Sequence, residues 1–459
     1  MKDGGMLHWC DTAAGALLAC VSAAMAACPG SFLPGEAFNV GWNFGMCVAA
    51  DIDGDGNLDL ITGTRVLLGD GNGGFPRLLA PDVGVVSDAL VEDFDRDGHA
   101  DMALVSLGSK EIHVLFGREH ELPGDEFFEP DVSIPTVQNS WHMACGDLDG
   151  NGTRDIVVGS GAAPALSIVL NNGDRTFRSL THAGLPQATL ALALGDYDGD
   201  GQLDIASGNS SNAVLLFGNG DGTFGGMVVS PLLFQGAPAG VHRFRADDFD
   251  RDGRADLVAC TGYGVSVYSG AHVDRGAGLP AQAAVEIALA GRGRYVELAD
   301  MSRDGLPDIV ALAETEAGAT EIRVLCGLAP TPDAPIAFTA GEVFSPAIEN
   351  LLIVHALGDM NEDGAIDVVA VAEGDGESQI LFGTDTGAKA SGDANGDGTV
   401  DVADAIAVLS HLFADVEAPC PNVINVNGDA RVDIADAIYM LSYLFAHGPA
   451  PCGAPRPCG

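Results

Sequence analysis

Asp51-Ile52-Asp53-Gly54-Asp55-Gly56-Asn57-Leu58-Asp59 runs straight into the apolar stretch Leu60-Ile61-Thr62. The same nine-residue phrase, Asp-x-[Asp/Asn/Ser]-x-[Asp/Asn]-Gly-x-x-Asp, begins again at Asp93, Asp147, Asp196, Asp248, Asp300 and Asp359, each time ahead of an apolar run rich in leucine or β-branched residues. The starts lie 42, 54, 49, 52, 52 and 59 residues apart. That period is the size of one small supersecondary unit, so the repeat governs the architecture. Seven such units suggest a closed ring.

The chemistry of the phrase is oxygen coordination of a hard cation. Calcium takes roughly six to eight oxygens in a flexible shell, and carboxylates at alternate positions around a tight glycine turn converge on one ion. In the first loop the ligands would be Asp51, Asp53, Asp55 and Asp59 with the carbonyl of Asn57, and Gly56 permits the turn. The same positions hold Asp93, Asp95, Asp97, His99 and Asp101, then Asp147, Asp149, Asn151, Thr153 and Asp155. They continue with Asp196, Asp198, Asp200, Gln202 and Asp204, then Asp248, Asp250, Asp252, Arg254 and Asp256. The last two loops hold Asp300, Ser302, Asp304, Leu306 and Asp308, and Asp359, Asn361, Asp363, Ala365 and Asp367. An EF-hand would place its bidentate acid at Thr62 and continue as a helix, whereas Leu60-Ile61-Thr62 reads as strand. These are candidate calcium loops inside β-hairpins. A lone copy would be a solvated Asp-Gly turn, but seven matched copies argue against that.

Each unit has a short apolar strand before the loop, such as Leu192-Ala193-Leu194, and a second after it, such as Asp155-Ile156-Val157-Val158. A third commonly ends in glycine, as in Ala213-Val214-Leu215-Leu216-Phe217-Gly218 and Ile322-Arg323-Val324-Leu325-Cys326-Gly327. Hairpins such as Gly218-Asn219-Gly220-Asp221-Gly222-Thr223-Phe224 follow. None of these glycine strings continues as Gly-Lys-Ser/Thr, so they are not phosphate loops.

Over about Phe32 to Gly387 the chain resembles the FG-GAP family, also called VCBS repeats, the blades of the integrin alpha-subunit propeller. The resemblance implies a mainly β fold, a seven-bladed β-propeller with four strands per blade and a calcium loop joining the first two strands. Seven loops argue for seven blades over six or eight. No fourth strand follows Gln379-Ile380-Leu381-Phe382-Gly383, so Glu36-Ala37-Phe38-Asn39-Val40 is expected to supply it and fasten the ring.

The last seventy residues carry a second calcium pattern. Asp393, Asn395, Asp397, Thr399, Asp401 and Asp404 stand at EF-hand ligand positions with Gly398 at the turn. A helix should follow with Val402, Ile406, Leu409 and Phe413 on one face. At an offset of 32 residues the text repeats, with Asn425, Asn427, Asp429, Arg431, Asp433 and Asp436 as ligands and Ile434, Ile438, Leu441 and Phe445 as the face. The pair resembles a type I dockerin, which implies a small all-α calcium-binding module that docks onto a cohesin. Asn425 removes a charge and Ala430 replaces the turn glycine, so the second loop should bind calcium more weakly. Dockerin contact positions are commonly hydroxylated or charged, but Val402-Ala403 and Ile434-Ala435 fall there; the two related partner surfaces are expected to be Val402, Ala403, Leu409 and Ser410, and Ile434, Ala435, Leu441 and Ser442. The alternative is a calcium-stabilised cap or anchor without a cohesin partner.

The expected organisation is a signal peptide over 1–27, the propeller over 28–387, a linker over 388–391 and the double loop-helix module over 392–459. Lys2 and the apolar stretch from Ala13 to Ala27, with small residues at Ala24 and Ala26, read as an export signal, and Cys28 leaves a lipoprotein anchor as the alternative. No later segment is long and apolar enough to span a bilayer as a helix. The protein is thus expected to be secreted or held at the cell surface. A formal charge of −44 leaves no basic stripe for nucleic acid, and much of it falls on the candidate calcium ligands, up to about nine sites in all. Hydrophobic residues at 47% suffice for a packed core. Cys47, Cys145, Cys260 and Cys326 lie in or beside strands of different units and read as buried thiols. Cys420 is expected to pair with Cys452 or Cys458 in an oxidising compartment.

No Gly-x-Ser-x-Gly elbow or His-Glu-x-x-His motif appears. Trp42, Asn43, Trp141, His142, His242, Arg243 and Tyr295 stand where first strands begin, on the face opposite the loops, and could stack on and hydrogen-bond a sugar or peptide. They could equally plug the channel. The reading is adhesion or extracellular ligand binding, carbohydrate included, with the C-terminal module attached to a cohesin-like scaffold or cell-surface protein. The rivals are a polysaccharide-degrading enzyme, hydrolase or lyase, and a structural surface-layer component.

Overall fold

The computed structural model describes residues 32–39, 47–62, 65–79, 86–106, 110–118, 128–129, 131–137, 140–315, 318–331, 335–346, 351–372, 377–383, 394, 402–413, 426, 432 and 434–446. The signal segment, Cys28, Trp42, Asn43, the 388–391 linker and most of the C-terminal loop ligands lie outside them. The chain divides into two compact units, one of strands and one carrying two helices.

The strand unit is a seven-bladed propeller of antiparallel four-stranded meanders. β1 (Phe32–Asn39) stands apart in sequence from its blade. Blade 1 is β2 (Cys47–Ala50), β3 (Asp59–Thr62), β4 (Arg65–Leu68) and β5 (Arg77–Leu79). Blade 2 is β6 (Val86–Glu92), β7 (Asp101–Ser106), β8 (Glu111–Leu115) and β9 (Val132–Pro135). Blade 3 is β10 (Ser140–Gly146), β11 (Asp155–Ser160), β12 (Ala165–Asn171) and β13 (Phe177–Ala183). Blade 4 is β14 (Ala191–Gly195), β15 (Asp204–Gly208), β16 (Asn212–Gly218) and β17 (Phe224–Pro231), followed by the small hairpin β18 (Leu233–Phe234) and β19 (Ala237–Pro238). Blade 5 is β20 (Val241–Asp247), β21 (Asp256–Thr261), β22 (Gly264–Tyr268) and β23 (Val285–Ala288). Blade 6 is β24 (Gly291–Ala299), β25 (Asp308–Thr315), β26 (Thr320–Gly327) and β27 (Phe338–Phe344). Blade 7 is β28 (Leu351–Gly358), β29 (Asp367–Ala372) and β30 (Glu377–Gly383), completed by β1.

The first strands of successive blades touch one another around the axis, and β2 meets β28 to close the ring. β1 pairs antiparallel with β30, Phe32 opposite Gly383 and Asn39 opposite Glu377. The Gln379 amide donates to the Gly35 carbonyl at 2.8 Å. The closing strand therefore begins earlier than the expected Glu36 and includes Phe32, whose ring lies edge-on to Phe344.

Second and third strands lie between two neighbouring blades, so both of their faces are covered. That is why β11 and β12 are buried along their whole length and read as apolar runs, while the outer strand β13 alternates. Between blades 2 and 3, Phe94, Ile112 and Phe116 pack with Met143, Ile156 and Val169. Each such side chain contributes on the order of 1.5–3 kcal/mol. Similar clusters join blades 4 and 5 and blades 7 and 1.

The glycine closing the third strand has a steric cause. A Cβ on Gly218 would stand 2.3 Å from the Leu203 carbonyl, and one on Gly117 2.3 Å from that of Ala100. Blade 3 has Asn171 at this place, and its amide donates instead to the carbonyls of Phe94, at 2.7 Å, and Arg154, at 3.2 Å.

The second unit contains α1 (Val402–Phe413) and α2 (Ile434–Ala446). Its core is Ala405, Val408, Ala437 and Met440 with Ala394 and Val426. Val402, Ile406, Phe413, Ile434 and Ile438, read in the sequence as the apolar faces, are exposed. Among the described residues no helix is long and apolar enough to cross a membrane. Cys47, Cys145 and Cys260 are free thiols, but Cys326 is disulfide-bonded, which corrects its reading as a buried thiol.

Candidate metal centres and the channel mouth

Every one of the seven loops has a left-handed residue at its fourth and sixth positions. The sixth is always glycine, from Gly56 at φ 94° to Gly364 at φ 84°. The fourth is Gly54, Gly150 or Gly199 in three loops but Arg96, Arg251, Arg303 or Glu362 in the others, at φ between 55° and 64°. Left-handed backbone at a residue with a Cβ is sparsely populated and persists where its surroundings fix it. In the described loops the first carboxylate does this by accepting loop amides. Around Arg96, Asp93 takes the amides of Asp97 at 3.1 Å and Gly98 at 3.0 Å, and around Arg251, Asp248 takes those of Asp252 at 3.0 Å and Gly253 at 2.9 Å.

The ninth position is buried and ties three segments together. One Asp155 oxygen accepts the Leu148 amide and the other the Asn171 amide, each at 2.8 Å. Asp59 does the same with Ile52 and Gly69, Asp101 with Phe94 and Gly117, and Asp204 with Tyr197 and Gly218. The second loop residue, among them Ile52, Phe94, Tyr197 and Phe249, is buried under the loop. These ninth-position acids are pushed up by burial, to about 6 at Asp59, Asp101 and Asp155 and to about 7 at Asp204, Asp256 and Asp367. Their backbone hydrogen bonds oppose the shift, and the neighbouring loop aspartates add to it.

First, third and ninth positions converge. In five loops, Asp51/Asp53/Asp59, Asp93/Asp95/Asp101, Asp147/Asp149/Asp155, Asp196/Asp198/Asp204 and Asp248/Asp250/Asp256, one carboxylate oxygen from each lies within 4.8 Å of the others. Such an all-oxygen set, one member of it desolvated, could hold a hard divalent cation. In the sixth and seventh loops Asp308 and Asp367 are buried in the same way. In the helical unit, Asp404 and Asp436 are buried, and Asp436 accepts the Val426 amide at 3.0 Å. The remaining ligand positions predicted there lie outside the described residues.

At the opposite end of the channel, His142, Arg243 and Tyr295 come together. Arg243 Nη1 is 3.4 Å from His142 Nδ1, and its guanidinium lies 4.9 Å from the centre of the Tyr295 ring. Burial first, then Arg243 and Arg245, push His142 down to about 3, so it is a neutral imidazole accepting through Nδ1. Asp88, which the sequence reading missed, completes the arc 3.9 Å from His142. Register shifts at the start of β6, β10, β20 and β24 place these four residues alike. The signal was available, because Asp88, His142, Arg243 and Tyr295 each stand five residues ahead of a loop's first aspartate. A cavity of about 420 Å³ follows, walled by Asp88, Glu92, Cys145, Arg243 and Arg245. Trp141 and His242 turn away from this arc, Trp141 over Gly161 and His242 beside Gly262. Trp141 is 38% exposed, and Tyr263, on the same end of blade 5, is 56% exposed and stacked on Phe234.

The blades and loops together define a seven-bladed β-propeller built from loop-bearing repeats. A family model described as FG-GAP-like repeat matches residues 93–158, 147–207, 196–259 and 248–311, each match running from one loop through the next. No curated protein matches the chain. Among solved structures, that of BBS1N in complex with ARL6DN, soaked with mercury, superposes with a TM-score of 0.51 at 10% identity, covering 78% of this chain and 98% of that one. The same complex soaked with lead gives 0.50 at 11% identity with the same coverage. An Agrocybe aegerita protein recognising non-reducing terminal N-acetylglucosamine gives 0.41 at 19% identity, covering 69% and 80%. At such identities the likeness to the first two concerns the fold alone.

Proposed function

We propose that the chain is a secreted calcium-binding propeller that mediates adhesion or binds an extracellular ligand, carbohydrate included, and is attached to a scaffold or surface through its helical module. The repeated convergence of three aspartate oxygens in successive loops supports calcium as the ion. The disulfide at Cys326 supports export, since such bonds persist in oxidising compartments. The ligand docks on the end opposite the loops, where Trp141 and Tyr263 expose aromatic faces beside the polar arc of His142 and Arg243. Attachment uses the exposed stripe of Val402, Ile406 and Phe413 and its repeat Ile434 and Ile438.

The test is capture of glycans on an array and of extracellular proteins from culture medium, in calcium, by the parent and by Trp141→Ala with Tyr263→Ala. At least a tenfold loss of the captured ligand by the double variant is expected. Equal capture by parent and variant would place recognition elsewhere. Charged substitutions at Ile406 and Ile438 together should release the protein from its scaffold without altering that capture.

A further inference from the structure

Two arginines reach from one blade into the acidic loop of the blade before it. Arg175, in the hairpin between β12 and β13, donates from Nε to Asp95, from Nη2 to Asp97 at 3.3 Å and from Nη1 to Glu129 at 2.7 Å. Its guanidinium also lies 4.8 Å from the centre of the Phe116 ring. Arg275, from the segment following β22, donates from Nε to Asp198 and from Nη2 to Asp200, 5.3 Å from the Phe217 ring centre. The two come from differently built segments, a tight hairpin and a longer excursion. Yet both end on the third- and fifth-position carboxylates and on the phenylalanine just ahead of the third-strand glycine, Gly117 or Gly218. Arg175 holds this place at φ 64°, where the matching hairpins of blades 1 and 4 use Gly73 at φ 77° and Gly222 at φ 76°. A residue with a Cβ is costly there, so the hairpin carries strain that its ion pairs offset. Among the described residues no ion pair joins an arginine to the corresponding Asp149, Asp250 or Asp252.

We infer that Arg175 and Arg275 are built-in counter-cations that divide the loops into two classes. In the second and fourth loops a guanidinium takes the outer oxygens of the third and fifth carboxylates, ties the loop to the next blade and adds positive charge beside the bound ion. Calcium then binds these two loops more weakly than the third and fifth, because it loses ligand oxygens and meets like charge. The same arginines keep the two acidic loops compensated when calcium is scarce. This inference rests on the calcium reading of the loops.

The test titrates calcium into the full chain, stripped of metal, by calorimetry. It compares the parent with Arg175→Gln and Arg275→Gln and records thermal melts of each in calcium and in chelator. Each variant is expected to bind one calcium at least tenfold more tightly than the parent, and the rise in Tm that calcium brings should be larger than in the parent. Arg175→Gly, which installs the residue that blade 4 carries as Gly222, removes the backbone strain and should give the same tightening even if the glutamine variant folds poorly. Isotherms and calcium-dependent Tm gains equal to the parent's would overturn the inference. A parent that binds no calcium would instead overturn the calcium reading on which it stands.

Discussion

Excess chelator is expected to lower the Tm of the intact protein by about 10 °C or more. An ion held only by the native state at a hundredfold its Kd stabilises by about 2.7 kcal/mol, and five loops already converge three carboxylates each. Even at the modest sensitivity of a large domain, that total moves Tm well beyond a few degrees. The pH dependence should invert with calcium. Burial raises Asp59, Asp101 and Asp155 to about 6 and Asp204, Asp256 and Asp367 to about 7, against an unfolded value near the ordinary carboxylate range. A raised acid contributes stability that is present below its unfolded pKa and is lost as pH rises through the folded one. In chelator, therefore, Tm should climb as pH falls from 7.5 to 5. In calcium it should fall over the same interval, because protons compete with the ion for the same oxygens.

Asp155→Ala is expected to cost about 2–6 kcal/mol even in chelator. Its two oxygens are partners of the Leu148 and Asn171 amides, at 2.8 Å each, and the side chain is buried. Deleting it strands two buried N–H donors, at roughly 1–3 kcal/mol apiece. Asp155→Asn should rescue only part, since its amide nitrogen would face one of those donors. Asp147→Ala removes a ligand of the same loop whose own partners, the Gly150 and Gly152 amides, are exposed and can turn to water. Its loss should therefore be small in chelator and large in calcium. Urea unfolding of the two variants with and without calcium separates the roles, and equal losses in chelator would contradict the buried-staple account.

The loops and the blade count were legible because their requirements are local. An acid at alternate positions and a glycine at the sixth are written directly into residues 51–59 and every later copy. The residue between them was not, because Arg96, Arg251, Arg303 and Glu362 adopt the left-handed conformation without any glycine to announce it. The closing strand was expected from a missing partner for β30, although its start at Phe32 depends on a long-range contact with Phe344. The arc of Asp88, His142, Arg243 and Tyr295 was only partly found. Asp88 is neither aromatic nor basic, so only its constant five-residue offset from a loop's first aspartate marks it in the sequence. In the helices the difficulty is different. Both are apolar around much of their circumference, so a period of 3.6 admits two stripes, and only packing selects Ala405, Val408, Ala437 and Met440 for the inside. Arg175 could have been noticed where Asn172-Gly173-Asp174-Arg175-Thr176-Phe177 departs from Asn219-Gly220-Asp221-Gly222-Thr223-Phe224, but its target lies about eighty residues away in sequence.

The most direct measurement is elemental analysis of the full chain after equilibration in calcium and removal of free ion. At least five calcium ions per chain are expected, one for each converging triad, with other divalent metals at trace level. A calcium content below one per chain, in protein shown to be folded, would contradict it.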